Sequence, residues 1–210
     1  MAYELNGSNQ RLTPASVPAT AAPLTMACWF RPANVTHQGA LITLTNAAGT
    51  NYFALYFNGT AAGDPVTVFI NPGAPSGFST TSGASANTWH HACGVFASST
   101  SRTVYIDGGS SATNTASATP ANITQFNIGS FQTAAGNFFN GQIAEVGLWN
   151  TNLTASEVAS LADGMTCDKV RPQSLVFYAP LVRELQDVKG GLTITNNNTA
   201  TVANHPRVYA

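Results

Sequence analysis

Carboxylates on a strand would decide whether this chain could cut a glycosidic bond. Retaining hydrolysis uses two of them about 5 Å apart, which on one strand face means acids two or four residues apart. Of five Asp and four Glu most fall in turns, and Glu145 is the one acid in the strand-like run Gly141-Gln142-Ile143-Ala144-Glu145-Val146-Gly147-Leu148-Trp149. If that strand alternates regularly, the same-face neighbours of Glu145 are Ile143 and Gly147, and no other segment supplies a pair. No catalytic residue is assigned and the chain is read as a non-enzyme. Glu145 is expected to accept hydrogen bonds from backbone or hydroxyl groups. His90 and His91 are adjacent, so on a strand they point to opposite faces and cannot hold one ion. One is expected at the edge of the core and the other exposed. His37 and His205 lie in loops without ligand spacing, so no metal ligand is assigned.

Sugar binding asks for something else: aromatic platforms beside amides and hydroxyls on an exposed rim. Tyr52, Asn58, Phe131 and Gln132 are the rim candidates, with Tyr56, Phe78, Phe138 and Phe139 as further aromatics. Trp29, Trp89 and Trp149 read as structural. No glycine loop opens a helix to cradle phosphate, and no nucleophile elbow is present.

Composition narrows the partners. Charged residues make up 8% of the 210, against ~25% in ordinary soluble domains, and the net charge is −1. Such a surface offers little to nucleic acid or an anionic membrane. It suits contact with other protein subunits, in a homo-oligomer or a larger assembly, or with a neutral glycan. No apolar run approaches the ~20 residues that span a bilayer. The N-terminus carries no basic and apolar leader, which points to a chain that never enters the secretory route. Three cysteines do not make a disulfide framework.

The elements that must position these groups read as strands. Turn clusters recur every 10 to 15 residues, the spacing of a sandwich or barrel. Strands are expected at 3–5, 24–31, 40–45, 52–57, 66–70, 89–96, 102–106, 126–129, 141–149 and 175–181, with 74–87 a loop or weak edge strand. The last is expected to pair with the first, making Leu5 and Phe177 neighbours. Thr154 and Glu157 form an S/T-x-x-E capping box, Val158 and Leu161 an apolar stripe, and Gly164 a stop, so one short helix follows the strand that holds Glu145.

In order, Cys28-Trp29-Phe30, Trp89-His90-His91-Ala92, Tyr105-Ile106-Asp107-Gly108 and Gly141-x-Ile143-x-x-Val146-x-x-Trp149-Asn150-x-x-Leu153-Thr154 resemble the laminin-G/pentraxin branch of the concanavalin A-like jelly rolls. The resemblance covers 24–164 and implies one all-β domain over 1–210: a two-sheet antiparallel jelly-roll sandwich with one short helix and a terminal region at 165–210. It also implies that Cys28 and Cys93 lie side by side in the core, bridged in an oxidising compartment and otherwise free as small hydrophobes. Cys167 is left over. Many members of this branch bind calcium through acidic loops. The corresponding stretches here, Thr50-Asn51 and Phe131-Gln132-Thr133, carry no acid, and Asp64 is the nearest one, so calcium is disfavoured and no cofactor is assigned. A chain without a leader and poor in charge looks like the jelly-roll proteins that bacterial viruses place on capsid or tail. The expectation is a virion surface protein assembled in host cytoplasm. The alternative is an extracellular, lectin-like module for cell-surface glycan.

Overall fold

A computed structural model describes residues 1–132 and 136–209. In chain order the strands are β1 (Ala2–Asn6), β2 (Arg11–Pro14), β3 (Leu24–Pro32), β4 (Gln38–Thr45), β5 (Asn51–Asn58), β6 (Pro65–Pro72), β7 (Ser76–Gly83) and β8 (His90–Ser98). Then come β9 (Ser101–Ile106), β10 (Ser111–Asn114), β11 (Gln125–Ile128), β12 (Asn140–Trp149), the helix α1 (Ala155–Ala162), β13 (Leu175–Ala179), β14 (Ile194–Asn197) and β15 (Thr201–Ala203). One sheet has eight strands in the order β10-β9-β8-β3-β12-β1-β15, with β13 also on β12. The other has seven, in the order β14-β2-β11-β4-β5-β6-β7. All strand pairings within the two sheets are antiparallel.

Alternation decides what each sheet buries. Along β5, Phe53, Leu55 and Phe57 enter the main core between the sheets, while Tyr52, Ala54 and Tyr56 form a separate cluster on the opposite face. Along β3, Met26, Cys28 and Phe30 point into the main core, and Ala27 joins a second cluster with Cys93, Val95, Trp149, Val158 and Leu161. This second cluster lies on the outer face of the eight-stranded sheet, under α1. That helix is closed as the sequence indicates: the Thr154 side chain accepts from Glu157 N, and Glu157 Oε2 accepts from Thr154 N at 2.7 Å. Arg171 Nε donates to Glu157 Oε1 at 2.5 Å, which fastens the next segment to the helix start.

Three expectations are corrected. First, Leu5 and Phe177 are not neighbours. β1 pairs with residues 140–143 of β12 and β13 with 146–149, so the two lie end to end along one strand, and the outer neighbour of β1 is β15. Second, Cys28 and Cys93 are not side by side. The register sets Ala27 against Cys93 and Cys28 against Ala92, which turns the two thiols to opposite faces of the sheet. Both are buried and free, as is Cys167. Third, β12 does not alternate regularly. Ala144 faces Trp29 but Gly147 faces Ala27, so one residue is extra, and Glu145 stands there with φ +53°. The bulge shifts the phase, which sends Ile143, Val146 and Leu148 all into the main core. Gly147 is on the other side, where an added Cβ would meet Trp149 and the Cys167 sulfur.

Candidate functional site

Glu145 is 4% exposed. Tyr178 donates its hydroxyl to Glu145 Oε2 at 2.5 Å, and His205 Nε2 lies 3.0 Å from Oε1. Burial and the nearby carboxylate push the Tyr178 hydroxyl pKa well up, so it remains a donor. The expected hydroxyl partner is therefore present, and the carboxylate ties β13 and the C-terminal tail to β12. The histidine pair separates to opposite faces as alternation requires, but neither is exposed: His91 is buried and His90 half-buried, which corrects the expectation of one exposed histidine. His91 is buried against Trp29, with ring centroids 5.5 Å apart. His90 faces the other way, packs on Phe30, and places Nδ1 2.7 Å from Asp107 Oδ2.

The arrangement suited to a ligand lies on the outer face of the seven-stranded sheet. Small residues at Ala40 and Ala54 make its floor, because the neighbouring residues on β4 and β5 turn into the core. Tyr52 and Tyr56, four residues apart on β5, stand on either side of Ala54. Phe69 comes from β6, opposite Ala54 in register, and Phe131 from the loop after β11. These rings meet edge to face: Tyr52 to Phe131 at 4.7 Å and Tyr56 to Phe69 at 5.2 Å. With Gln38, Gly49, Asn71, Pro75 and Asn137 they line a cleft of about 360 Å³.

The polar groups of this cleft are amides and hydroxyls already oriented by bonds to one another. Asn71 Oδ1 accepts from Gly73 N at 2.6 Å, and its side chain is hydrogen-bonded to the Tyr52 hydroxyl. The Asn137 side chain is bonded to the Tyr56 hydroxyl, and its backbone carbonyl accepts from Ala40 N at 2.9 Å. Gln38 Oε1 accepts from Thr60 Oγ1 at 3.3 Å. Burial raises both tyrosine pKa values, so both hydroxyls stay neutral.

Of the four rim candidates, Tyr52 and Phe131 are brought together here. Gln132 flanks the cleft by lying over Gly49, whose φ is +69°; a Cβ there would come within 1.9 Å of Gln132 Oε1. Asn58 is not in the lining. It sits at the end of β5 opposite Gln38, and its Oδ1 accepts from Thr60 Oγ1. Tyr56 belongs to the cleft, whereas Phe139 is fully buried in the core and Phe78 packs against the core. The Phe138 carbonyl is 2.6 Å from His37 Nε2, and Thr133 lies outside the described residues. Sequence reasoning missed Gln38, Phe69, Asn71 and Asn137. The signal for Phe69 and Asn71 was their spacing of two on β6, one strand over from Tyr52.

The cleft does not fit a resident calcium ion, which takes several oxygens including carboxylates. Its donors are uncharged amides and phenols. Asp64 precedes β6, at the opposite end of that strand from Asn71. Among the described residues no group of three or more His, Cys, Asp or Glu could hold a metal.

A family model described as the concanavalin A-like lectin/glucanases superfamily, of laminin-G type, matches residues 6–159. No curated protein matches the chain in sequence. Among solved structures, the native heptameric SAP-like pentraxin of Limulus polyphemus superposes with a TM-score of 0.68 at 12% identity, over 97% of this chain and 94% of that one. Domain 4 of an extracellular arabinanase from Geobacillus stearothermophilus, in complex with arabinotriose, gives 0.60 at 19%, over 77% and 76%. The CBM40 of the Ruminococcus gnavus IT-sialidase, bound to alpha2,3 sialyllactose, gives 0.58 at 10%, over 77% and 98%.

Proposed function

The chain belongs to the concanavalin A-like lectin/glucanases superfamily, and within it we propose a non-catalytic glycan-binding module that uses the cleft on the seven-stranded sheet. The observation that carries this reading is the union of Tyr52, Tyr56, Phe69 and Phe131 with the amides of Gln38, Asn71 and Asn137. Aromatic faces take the apolar faces of a sugar ring, and pre-oriented amides and hydroxyls take its hydroxyls. Two superposable neighbours hold saccharides in their own structures, which supports the reading without assigning a ligand. Catalysis is not proposed, because the buried Glu145 carboxylate is occupied by Tyr178 and His205. A glycan array probed with the purified chain tests the reading. Signals on a defined group of glycans, weakened at least threefold in Phe131→Ala, are expected; a blank array would overturn it.

A second reading rests on composition. The low charge also suits a chain that lies against other protein subunits, as a surface component of a bacteriophage particle would. Such a component could present the cleft outward to host polysaccharide. Detection of the chain in purified particles would support this. A chain absent from particles and monomeric in solution would overturn it.

A further inference from the structure

Charge in this molecule is divided between its two layers. From Gln38 to Gly83, covering β4 to β7, the sequence holds a single charged residue, Asp64. From Gly108 to Ala144, covering β11 and the loop that carries Phe131 and Asn137, it holds none. The four ion pairs among the described residues, His90–Asp107, Lys169–Asp168, Arg171–Glu157 and His205–Glu145, all lie with the eight-stranded sheet, α1 and the tail.

Resting on the glycan-binding reading above, we infer that the cleft selects uncharged oligosaccharides and binds them without a metal ion. A sialic acid carboxylate or a sulfate ester moving into the cleft would exchange water for amides and rings. No cation lines the cleft to answer it, since the one basic residue on the sheet's strands, Arg11, stands on β2 with β11 between it and β4, and a desolvated charge without a partner is costly. Calcium-bridged recognition meets the converse obstacle, since the lining has no carboxylate to hold the ion. A neutral polyol meets neither. Its hydroxyls both donate and accept, as do the side chains of Gln38, Asn71 and Asn137 and the tyrosine hydroxyls. With no ion pair between protein and ligand, affinity has almost nothing for salt to screen.

The test is one array holding neutral oligosaccharides, arabinotriose among them, together with sialylated and sulfated glycans. It is read in buffer, in EDTA and in 0.5 M NaCl, with wild type, Phe69→Ala and Phe131→Ala. Signals on neutral glycans that change less than about twofold in EDTA and salt, and fall at least threefold in both variants, are expected. Binding confined to sialylated or sulfated glycans, or abolished by EDTA, would overturn this inference and leave the glycan-binding reading standing. Neutral signals unaffected by both substitutions would place binding elsewhere and overturn it too. A blank array would overturn both.

Discussion

Burial sets the protonation of His91. The residue is 2% exposed, and burial brings its pKa down to about 4 against the opposing charge of Asp107. The folded state keeps it neutral down to that point, whereas the unfolded chain protonates it near 6.5. Stability is therefore fully present above pH 6.5 and falls as the pH drops toward 4, by about 3 kcal/mol over that window. Urea midpoints measured at pH 7 and pH 4.5 should show this fall in wild type and a much smaller one in His91→Leu; equal falls would contradict the assignment. At the cleft, Phe131 is half-buried, so Phe131→Ala should weaken glycan binding by about three- to tenfold with little change in melting temperature. At this scale the sequence was partly legible. Alternation separated His90 from His91, and residue type alone marked Tyr52 and Phe131. Asn58 misled because it has the right chemistry but stands just past the lining at the end of β5, where its side chain is taken up by Thr60, and Phe69 hid because most strand aromatics enter a core.

Among the elements, β12 and its helix show what local patterns can and cannot reveal. The capping box, the Val158–Leu161 stripe and the stop at Gly164 were readable because each is set within a few residues. Thr154→Ala should cost about 1 kcal/mol in chemical denaturation. The bulge at Glu145 was not readable, since one extra residue leaves no mark in the chain and shows only in the register with β3. The same limit misplaced Cys93: residue types put both cysteines in strands, but facing one another or turning apart depends on a one-residue register. The carboxylate at the bulge is held by Tyr178 and His205. Tyr178→Phe removes a buried donor from Glu145 and is expected to cost about 1–3 kcal/mol. An unchanged denaturation midpoint would show that the hydroxyl contributes nothing to holding β13 on β12.

Across the whole molecule, the two sheets share one core but carry different surfaces. The eight-stranded layer has the ion pairs, the helix and the tail; the seven-stranded layer is almost free of charge and bears the aromatic cleft. The fold class was legible because turn clusters recur along the chain and the ordered motifs span 24–164. The low total charge was legible too. Its segregation became visible only when the strand order set β4 to β7 beside β11, and the proposed glycan cleft lies on the face without ion pairs. The most direct measurement of that claim is a titration of the isotope-labelled chain with neutral oligosaccharides, arabinotriose among them, followed by amide chemical shifts. The account predicts changes gathered on Gln38, Gly49, Tyr52 to Tyr56, Phe69 to Pro75 and the neighbourhood of Phe131 and Asn137. An unperturbed spectrum, or changes gathered around α1 and Tyr209, would contradict it.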